Sequence, residues 1–292
     1  MEPQVYIDGK YYPKSEAKIS VFDHGLLYGD GVFEGIRIYA GRIFRFKEHM
    51  DRLYQSASSI RLEIPLERAE LERAVTETVR LNGLREAYIR LVVTRGVGDL
   101  GLDPKKCGKG SVIVIVDKIQ LYPEKQYQEG IPIITASTRR IAPAMLNQKV
   151  KSLNYLNSIL AKLEANLAGV SESLMLDLNG YVCECTADNI FIVREGELLT
   201  PSPEFPILLG VTRAVVLEVA RVEKITVREQ ALTLHDIFIS DECFLTGTGA
   251  ELIPVISLDG RKIGNGRPGP VTARLLERFR ELRGKGGVEI VK

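Results

Sequence analysis

Several residue types that mark specialised classes of protein are scarce in this chain of 292 residues. The three histidines are scattered, and we assign none of them a proton-transfer role. The cysteines are also few, and their spacing matches no common zinc or redox motif; they are Cys107, Cys183, Cys185 and Cys243. We therefore expect free thiols, no bound metal and a reducing, cytoplasmic location.

An excess of charge of one sign is missing too. The 39 lysines and arginines balance the 38 aspartates and glutamates, so the formal net charge is +1. Such balance gives no reason to expect binding to nucleic acid or to an anionic membrane. No apolar run reaches the roughly 18–20 residues of a membrane span, and the N-terminus has neither the basic start nor the apolar core of a signal peptide. We expect a globular protein with a core that needs no disulfides.

The order of hydrophobic patterns predicts an α/β fold of the α+β type with two domains. Short β-branched runs predict strands, and Val112–Val116 is too apolar to lie at a sheet edge. Spacings of three and four predict helices that begin near Lys47, Leu66, Leu153, Gly210 and Val271. Residues 119–129, with Pro123 and several polar side chains, are typical of a linker. We predict a small N-terminal domain at 1–118 and a larger domain at 130–292.

The stretch from Val150 to Asn189 holds the strongest chemical signal. Lys151 stands just before a predicted helix, and Glu184 lies near the return strand of a hairpin that turns at Asn179-Gly180. One interpretation is a lysine and a carboxylate that share a cleft; the other is two solvated charges. The helix itself has one apolar stripe, formed by Leu153, Leu156, Leu160, Leu163 and Leu167.

Three other segments have residue types that suit an anion. Arg52 lies beside the apolar face of its helix; its simplest role is an i,i+4 pair with Glu48, but a guanidinium also suits phosphate. A helix that begins with Val211-Thr212 offers free N–H groups and a hydroxyl. The glycine turn within Thr246–Leu252 is a potential nest of N–H groups.

The glycines at 29, 31 and 35 do not form a dinucleotide-binding fingerprint. Their spacing is one residue too long, and they lead into a strand rather than a helix. We expect them to let the backbone bend or pass close to a ligand.

Four ordered blocks resemble the class IV (fold type IV) pyridoxal 5'-phosphate (PLP)-dependent aminotransferases, and the branched-chain amino acid aminotransferases in particular. The blocks are Tyr28–Arg37, Lys151–Tyr155, Glu184–Phe191 and Thr246–Ile253. The resemblance implies that the larger domain carries most contacts to PLP. It also implies an active site between the domains, in a homodimer or a larger assembly of dimers.

The resemblance implies a role for each matching residue at the cofactor. Lys151 would form the Schiff base with PLP and carry the proton, and Glu184 would face the pyridine nitrogen. The phosphate would be bound by Arg52, Val211, Thr212 and Thr248. The ring would be contacted by Tyr155 at its oxygen and by Leu208 on its face, with Asn189 beside Glu184.

The substrates implied are L-leucine, L-isoleucine or L-valine as donor and 2-oxoglutarate as acceptor, in a ping-pong reaction that yields L-glutamate. The substrate-binding residues would be Tyr28, Phe33, Gly35, Arg37, Tyr88 and Arg90, together with the turn Thr248-Gly249-Ala250. Arg90 with Tyr28 would meet the distal carboxylate of glutamate, and the turn amides would meet the α-carboxylate.

Two other enzymes of the same fold remain as alternatives. D-amino acid aminotransferases have an Arg-x-His pair after a Thr-Arg-Gly segment, whereas Thr94-Arg95-Gly96 is followed here by no such pair. An aminodeoxychorismate lyase-like enzyme is disfavoured by Phe33, Gly35, Arg37 and the Tyr88-x-Arg90 strand. A protein without activity would be expected to have lost Lys151 or Glu184. Gly249 departs from the family, where alanine is common.

Overall fold

The structure is a computed structural model that describes residues 2–119 and 121–290. Its contacts divide the chain into two compact units, which we call unit 1 and unit 2. Unit 1 contains the residues up to Ile119, the short segment Val150–Asn154 and the segment from Arg283. Unit 2 contains the remainder, which is residues 121–149 and 155–282.

The helices and strands follow one another in both units. In chain order they begin with β1 (Gln4–Ile7), β2 (Lys10–Pro13), α1 (His24–Tyr28), β3 (Gly31–Tyr39), β4 (Arg42–Ile43), α2 (Phe46–Ser59), α3 (Arg68–Asn82), β5 (Ala87–Thr94), a 3₁₀ turn (Pro104–Lys106), β6 (Ser111–Asp117), α4 (Glu124–Glu129) and β7 (Ile131–Thr135). They continue with α5 (Leu156–Leu167), β8 (Glu172–Leu176), β9 (Val182–Cys185), β10 (Asn189–Arg194), β11 (Glu197–Pro201), α6 (Val211–Val222), β12 (Val227–Gln230), α7 (Leu234–Phe238), β13 (Glu242–Gly247), β14 (Glu251–Leu258), β15 (Arg261–Lys262), α8 (Pro270–Lys285) and β16 (Val288–Glu289).

Unit 1 is built on a seven-stranded sheet in the order β16-β4-β3-β5-β6-β1-β2. The apolar run of β6 lies between β5 and β1, inside the sheet as predicted. Val32, Ile36 and Ile38 of β3 alternate towards one face of the sheet, where they are buried in a core that includes residues of α2 and α3. The opposite face of β3 is therefore left to Phe33, Gly35 and Arg37.

The segment 150–154 packs with unit 1, although the sequence placed it in the C-terminal domain. It runs beside β3, where Ser152 bridges to Val32 and the N–H of Leu153 donates to the Gly31 carbonyl. Long-range backbone pairing of this kind leaves no trace in local composition, which is why the sequence could not reveal it.

Unit 2 contains a nine-stranded sheet in which six strands form a closed ring. The ring runs β10-β13-β14-β7-β8-β9, and β9 pairs back onto β10 through Glu184 and Asn189. Its interior is filled by apolar side chains such as Ile190, Leu245 and Ile253. The closing bridge thus brings a predicted cofactor residue and its neighbour side by side.

Helix α5 buries a different face from its leucine stripe. Leu156, Leu163 and Leu167 are 66%, 50% and 90% exposed, whereas Ala161 and Ala165 are fully buried. The small residues let the helix approach β8 closely, as shown by the Ser173 hydroxyl, which donates to the Ala161 carbonyl at 2.8 Å. The periodicity locates the leucine stripe, but it does not show which face of the helix packs inward.

The stretch predicted as a linker contains helix α4, which belongs to unit 2. Pro123 is the N-cap of this helix, a position where the missing N–H costs nothing, so the proline begins the helix instead of interrupting a domain. In residues 2–119 and 121–290, no helix is long and apolar enough to cross a membrane. The same residues contain no cluster of His, Cys, Asp or Glu that could hold a metal ion.

Candidate active site

Five of the predicted substrate-binding residues share one face of the sheet in unit 1. Phe33, Gly35 and Arg37 occupy alternate positions on β3. Gly35 lies directly opposite Arg90 of β5, and Arg37 lies opposite Tyr88. Directly paired residues in antiparallel strands project to the same side, so the register itself assembles this group.

The Phe33 ring, on this face, lies close to two cations. The Arg90 guanidinium carbon lies 4.5 Å from the ring centroid, and the Lys151 Nζ also lies 4.5 Å from it. The backbone of Lys151 is held from both sides, because its N–H donates to the Ser56 hydroxyl at 3.1 Å and its carbonyl accepts from the Phe33 N–H at 3.0 Å. A primary amine is thereby presented at an aromatic surface.

Gly35 is needed for the position of Tyr88. A Cβ at Gly35 would overlap the Tyr88 hydroxyl, so no other residue fits without moving the tyrosine. Arg37 stacks on Tyr39, with its guanidinium carbon 5.0 Å from the ring centroid, and its buried Nε has no hydrogen-bond partner. Tyr28 has a different contact, since its hydroxyl donates to the Leu100 carbonyl at 2.6 Å.

Arg52 belongs to a buried group with Glu34 and His49 in unit 1. Its Nε and Nη2 donate to the two carboxylate oxygens of Glu34 at 2.7 and 2.8 Å, and His49 Nδ1 lies 2.7 Å from Glu34 Oε2. Glu48, predicted to pair with Arg52, instead accepts from Arg45 at 2.9 Å. Arg52 pairs with Glu34 rather than with Glu48 because the Glu34 carboxylate is fully buried and accepts from both Nε and Nη2 of the guanidinium.

The charges of this group set the direction of two pKa values. Burial opposes the ionisation of Glu34, but the charge and hydrogen bonds of Arg52 and His49 outweigh it and lower the pKa of Glu34. Burial lowers the pKa of His49 against the opposing effect of the Glu34 carboxylate. The group is therefore an ionised glutamate, a charged arginine and a histidine that favours its neutral form.

Glu34 was not singled out in the sequence, although a signal existed. It occupies an inward position of β3, between the core residues Val32 and Ile36. An acid at a core position of an alternating strand needs a partner, and that requirement could have pointed to Arg52.

In unit 2, Glu184 is held by three groups. Arg140 Nη2 donates to its Oε1 at 2.6 Å, while Asn189 Nδ2 and the Leu208 backbone N–H donate to its Oε2 at 3.0 and 2.9 Å. The Asn189 amide also donates to the Leu208 carbonyl at 2.8 Å. The structure thus brings together Glu184, Asn189 and Leu208, which the sequence predicted as cofactor residues.

Arg140 is the residue at this site that the sequence did not reveal. It is 3% exposed, and besides Glu184 it contacts the Ser158 hydroxyl at 2.8 Å and the Cys185 carbonyl at 3.0 Å. It lies in a loop that has no periodic pattern, and 44 positions separate it from Glu184. No local signal distinguishes it from its neighbour Arg139.

The start of α6 lies three residues after Leu208. Gly210 is the N-cap residue and offers no side-chain cap, and α6 begins with Val211 and Thr212, both buried. The first N–H groups of a helix without a side-chain cap, with a threonine hydroxyl among them, are suited to an anion.

The chemistry of these groups in unit 2 fits PLP. A pyridine nitrogen is matched by the buried carboxylate of Glu184, and a phosphate is matched by the N-terminus of α6. Leu208 connects the two, because its N–H binds Glu184 and it precedes Val211 by a span of at most about 10 Å. The remaining predicted residues are Tyr155, the N-cap residue of α5, and Thr248, Gly249 and Ala250, the turn between β13 and β14.

The buried cysteines add no reactive group. Burial raises the pKa of Cys183, Cys185 and Cys243, so these thiols stay protonated.

The family model described as amino-transferase class IV matches residues 31–258. The chain therefore belongs to the class IV aminotransferases and is a PLP-dependent transaminase. The resemblance and the fold type IV architecture predicted from the four sequence blocks are confirmed.

Within the class IV aminotransferases, similar proteins bear the name of branched-chain amino acid aminotransferases. A Methanocaldococcus jannaschii protein, provisionally named a branched-chain-amino-acid aminotransferase, is 54% identical over 98% of this chain and 99% of its own. The crystal structure of the Escherichia coli branched-chain amino acid aminotransferase has a TM-score of 0.94 and 34% identity, and the match covers 100% of this chain and 97% of that one. The branched-chain aminotransferase of the archaeon Thermoproteus uzoniensis, solved with norvaline, has a TM-score of 0.89 and 37% identity, over 96% and 94% of the two chains.

Proposed function

We propose that this chain is a branched-chain amino acid aminotransferase, which moves the amino group of L-leucine, L-isoleucine or L-valine to 2-oxoglutarate. The observation that carries the proposal is the face of unit 1 where Lys151 Nζ and the Arg90 guanidinium carbon each lie 4.5 Å from the centroid of the Phe33 ring. An apolar ring suits an aliphatic side chain, a primary amine suits transamination, and an arginine suits the second carboxylate of glutamate.

The cofactor contacts follow from the geometry of each unit. Glu184 would hold the pyridine nitrogen protonated, since its own position is set by Arg140, Asn189 and the Leu208 N–H. The N-terminus of α6 would bind the phosphate through its N–H groups and the Thr212 hydroxyl. Arg52 would add a positive charge, oriented by its two bonds to Glu34. The further contacts of Tyr155, Leu208 and Thr248 remain predictions of the family resemblance.

Lys151 would perform the proton transfers. When bound, PLP supplies an aldehyde that receives the amino group and a ring that withdraws electrons from the substrate Cα. The Lys151 Nζ would remove the proton from Cα and deliver it on the cofactor side. The backbone bonds of Lys151 to Ser56 and Phe33 anchor its main chain beside β3, and its amine lies 4.5 Å from the centroid of the Phe33 ring.

The face of unit 1 that carries Phe33 would also determine which substrates bind. Phe33 and Tyr88 provide apolar surface for a branched side chain, and Gly35 leaves the room that Tyr88 occupies. Arg90 would bind the distal carboxylate of glutamate at the edge of this surface, which avoids burying an isolated charge beneath leucine. The amides of the Thr248–Ala250 turn would bind the α-carboxylate common to all substrates. Tyr28 and Arg37 are proposed as further substrate contacts.

We also infer a homodimer or a larger assembly of dimers. The exposed leucines of α5 support this inference, because an apolar stripe of that length is costly to leave in water. A cytoplasmic location is proposed as well, supported by the four free cysteines.

A half-reaction tests the proposed function directly. The purified holoenzyme is mixed with L-leucine, L-glutamate, D-alanine or D-glutamate, one at a time, and the cofactor absorbance is followed as aldehyde becomes amine. We expect bleaching by L-leucine and L-glutamate, reversed by 2-oxoglutarate. Bleaching by the D-amino acids alone would assign the chain to the D-specific alternative instead.

A further inference from the structure

An unfavourable backbone conformation directly follows the turn Thr248-Gly249-Ala250, to which we assign the substrate carboxylate. It connects β13 to β14, where Gly247 pairs with Glu251. Glu251 has a φ of 59°, in the left-handed region that residues with a Cβ rarely occupy. Such a conformation persists only where the surrounding structure holds it.

Tyr127 of α4 contacts the peptide group at this point. Its hydroxyl donates to the Ala250 carbonyl at 2.8 Å. That carbonyl belongs to the same peptide plane as the N–H of Glu251, so one hydrogen bond restrains both the ψ of Ala250 and the φ of Glu251. The orientation of the turn therefore depends on a residue outside the hairpin.

The Tyr127 ring is itself confined. It makes an edge contact with Tyr122 at a centroid distance of 6.4 Å, and the Arg280 guanidinium carbon lies 5.5 Å from its centroid. Arg280 reaches the same hairpin, because its Nε lies 3.8 Å from Glu251 Oε2. Glu251 is thus restrained through its backbone by Tyr127 and through its carboxylate by Arg280.

The other arm of the hairpin is fixed by close packing. A Cβ at Gly247 would overlap Asp188 Oδ1, so the aspartate lies directly against the backbone that enters the turn. With Asp188 on the β13 side and Tyr127 on the β14 side, the turn is held at both ends.

We propose that Tyr127 is a positioning residue for the substrate α-carboxylate. Its hydroxyl orients the Ala250 peptide, and this orientation aims the amides of the turn at the carboxylate. The inference rests on the proposed function and deepens it, because it concerns a group that does not itself touch the substrate.

The test is the variant Tyr127→Phe, which removes the hydroxyl and keeps the ring on Tyr122 and Arg280. The probe is 4-methylpentanoate, which has the carboxylate and side chain of leucine without its amino group. We expect its dissociation constant, from a spectral titration of the holoenzyme, to rise about fivefold, the size of one net hydrogen bond. The KM for L-leucine should rise similarly, with kcat within about twofold, because the turn binds the carboxylate equally in ground and transition states.

A second probe separates positioning from a merely structural role. Methoxyamine would displace the Lys151 amine from the cofactor carbon and form an oxime there, a reaction that uses no carboxylate site, so its rate should be the same in Tyr127→Phe and in the unmodified enzyme. The control variant is Tyr54→Phe, which removes a buried hydroxyl that has no hydrogen-bond partner and should change neither measurement.

Three outcomes would overturn the inference. An unchanged dissociation constant for 4-methylpentanoate would show that the hydroxyl does not orient the turn. Equal changes with 4-methylpentanoate and methoxyamine would show a general structural defect. An unmodified enzyme that binds no 4-methylpentanoate and is not bleached by L-leucine would refute the proposed function itself, and the inference with it.

Discussion

Each unit of this protein has a buried glutamate paired with a buried arginine, Glu34 with Arg52 in unit 1 and Glu184 with Arg140 in unit 2, and the two pairs differ in which residue is proposed to bind the cofactor. In unit 1, Arg52 and His49 both bind Glu34, which is fully buried. In unit 2, Glu184 receives Arg140 on one oxygen and two neutral N–H groups on the other.

The comparison teaches that a buried arginine–glutamate pair can orient either of its two members. Glu34 lies among core residues of β3 and is fully buried, so its carboxylate serves to orient the arginine. Arg140 is 3% exposed and also donates from Nη1 to Ser158 and from Nη2 to Cys185, so here the arginine serves to orient the carboxylate. The arginine is the proposed ligand group in unit 1, and the glutamate is that group in unit 2.

The largest effect on turnover is expected when Lys151, the proposed reacting group, is removed instead of a residue that orients another. Lys151→Ala should lower turnover by at least about 10³-fold, because it removes both the proposed covalent attachment and the proposed proton carrier. PLP should still bind, since the Glu184 and α6 contacts remain. Steady-state kinetics and cofactor absorbance measure the two properties. Appreciable multiple-turnover transamination by the variant would exclude Lys151 from the mechanism.

Removing the supporting arginine of unit 2 should cost the most stability. Arg140→Met leaves the buried Glu184 without its cationic partner, for a loss of about 3–5 kcal/mol in the free energy of unfolding. Urea denaturation measures this loss. The neighbouring Arg139→Met, whose guanidinium donates to the Ala136 carbonyl just after β7 at 3.3 Å, is the control and should lose less than about 1 kcal/mol. Equal losses would mean that Glu184 does not depend on Arg140.

Removing the supporting carboxylate of unit 1 should weaken cofactor binding. Glu34→Gln replaces one acceptor of the Arg52 fork with an NH₂ group, so we expect the dissociation constant for PLP to rise about 10- to 100-fold. Titration of the apoenzyme with PLP measures it. Glu48→Gln, on the neighbouring Arg45 pair, should change the constant less than about twofold. An unaltered affinity in Glu34→Gln would separate Arg52 from the phosphate.

A substitution of Arg90, on the opposite face of the same sheet, should lower kcat/KM for some substrates more than for others. Arg90→Ala should reduce kcat/KM for L-glutamate and 2-oxoglutarate about 10- to 100-fold, the range of a lost charge-assisted hydrogen bond. The loss for L-leucine should be less than about fivefold, because leucine has no distal carboxylate. Half-reactions with each substrate give the comparison. If all substrates lose equally, Arg90 is structural.

The smallest effect is the pH dependence of stability that His49 should contribute in unit 1. Burial lowers the pKa of His49 below its ordinary value of 6.5, so the unfolded chain binds a proton that the folded chain does not. Stability should therefore fall as the pH drops below about 6.5, by up to about 1.4 kcal/mol per pH unit. Denaturation between pH 7.5 and 5.5 measures this slope.

His49→Asn should flatten that slope, because asparagine can donate to Glu34 without titrating. His235→Asn, the same substitution at an exposed histidine, provides the control. A slope that persists in His49→Asn would assign the pH dependence to another group.

Much of the site could be predicted because it is built from local patterns. The alternation of β3 groups Phe33, Gly35 and Arg37, and the alternation of β5 groups Tyr88 and Arg90. Only the register of the two strands shows that both groups share one face. The helix that begins at Val211 was also visible, since a glycine followed by helix-forming residues is a local signal. Their roles in binding and catalysis remain predictions.

Other features depend on contacts between distant parts of the chain. Arg140 reaches Glu184 because its N–H donates to the carbonyl of Leu176 in β8, the strand that pairs with β9, and Tyr127 reaches Ala250 across 123 positions. Neither contact has a periodic signature. The stretch around Tyr127 looked like a linker because its composition is polar, whereas its function depends on one hydroxyl.

The sequence by itself determined the family, the five longest helices and the residue types at the proposed reacting positions, because spacing and motif are properties of neighbouring residues. Only the tertiary structure decided which face of α5 packs inward, that residues 150–154 join the sheet of unit 1, and that Glu34 and Arg140 are the supporting partners. Those outcomes depend on burial, where a charge must find a partner and a helix must fit its neighbour, and burial is set by the whole fold.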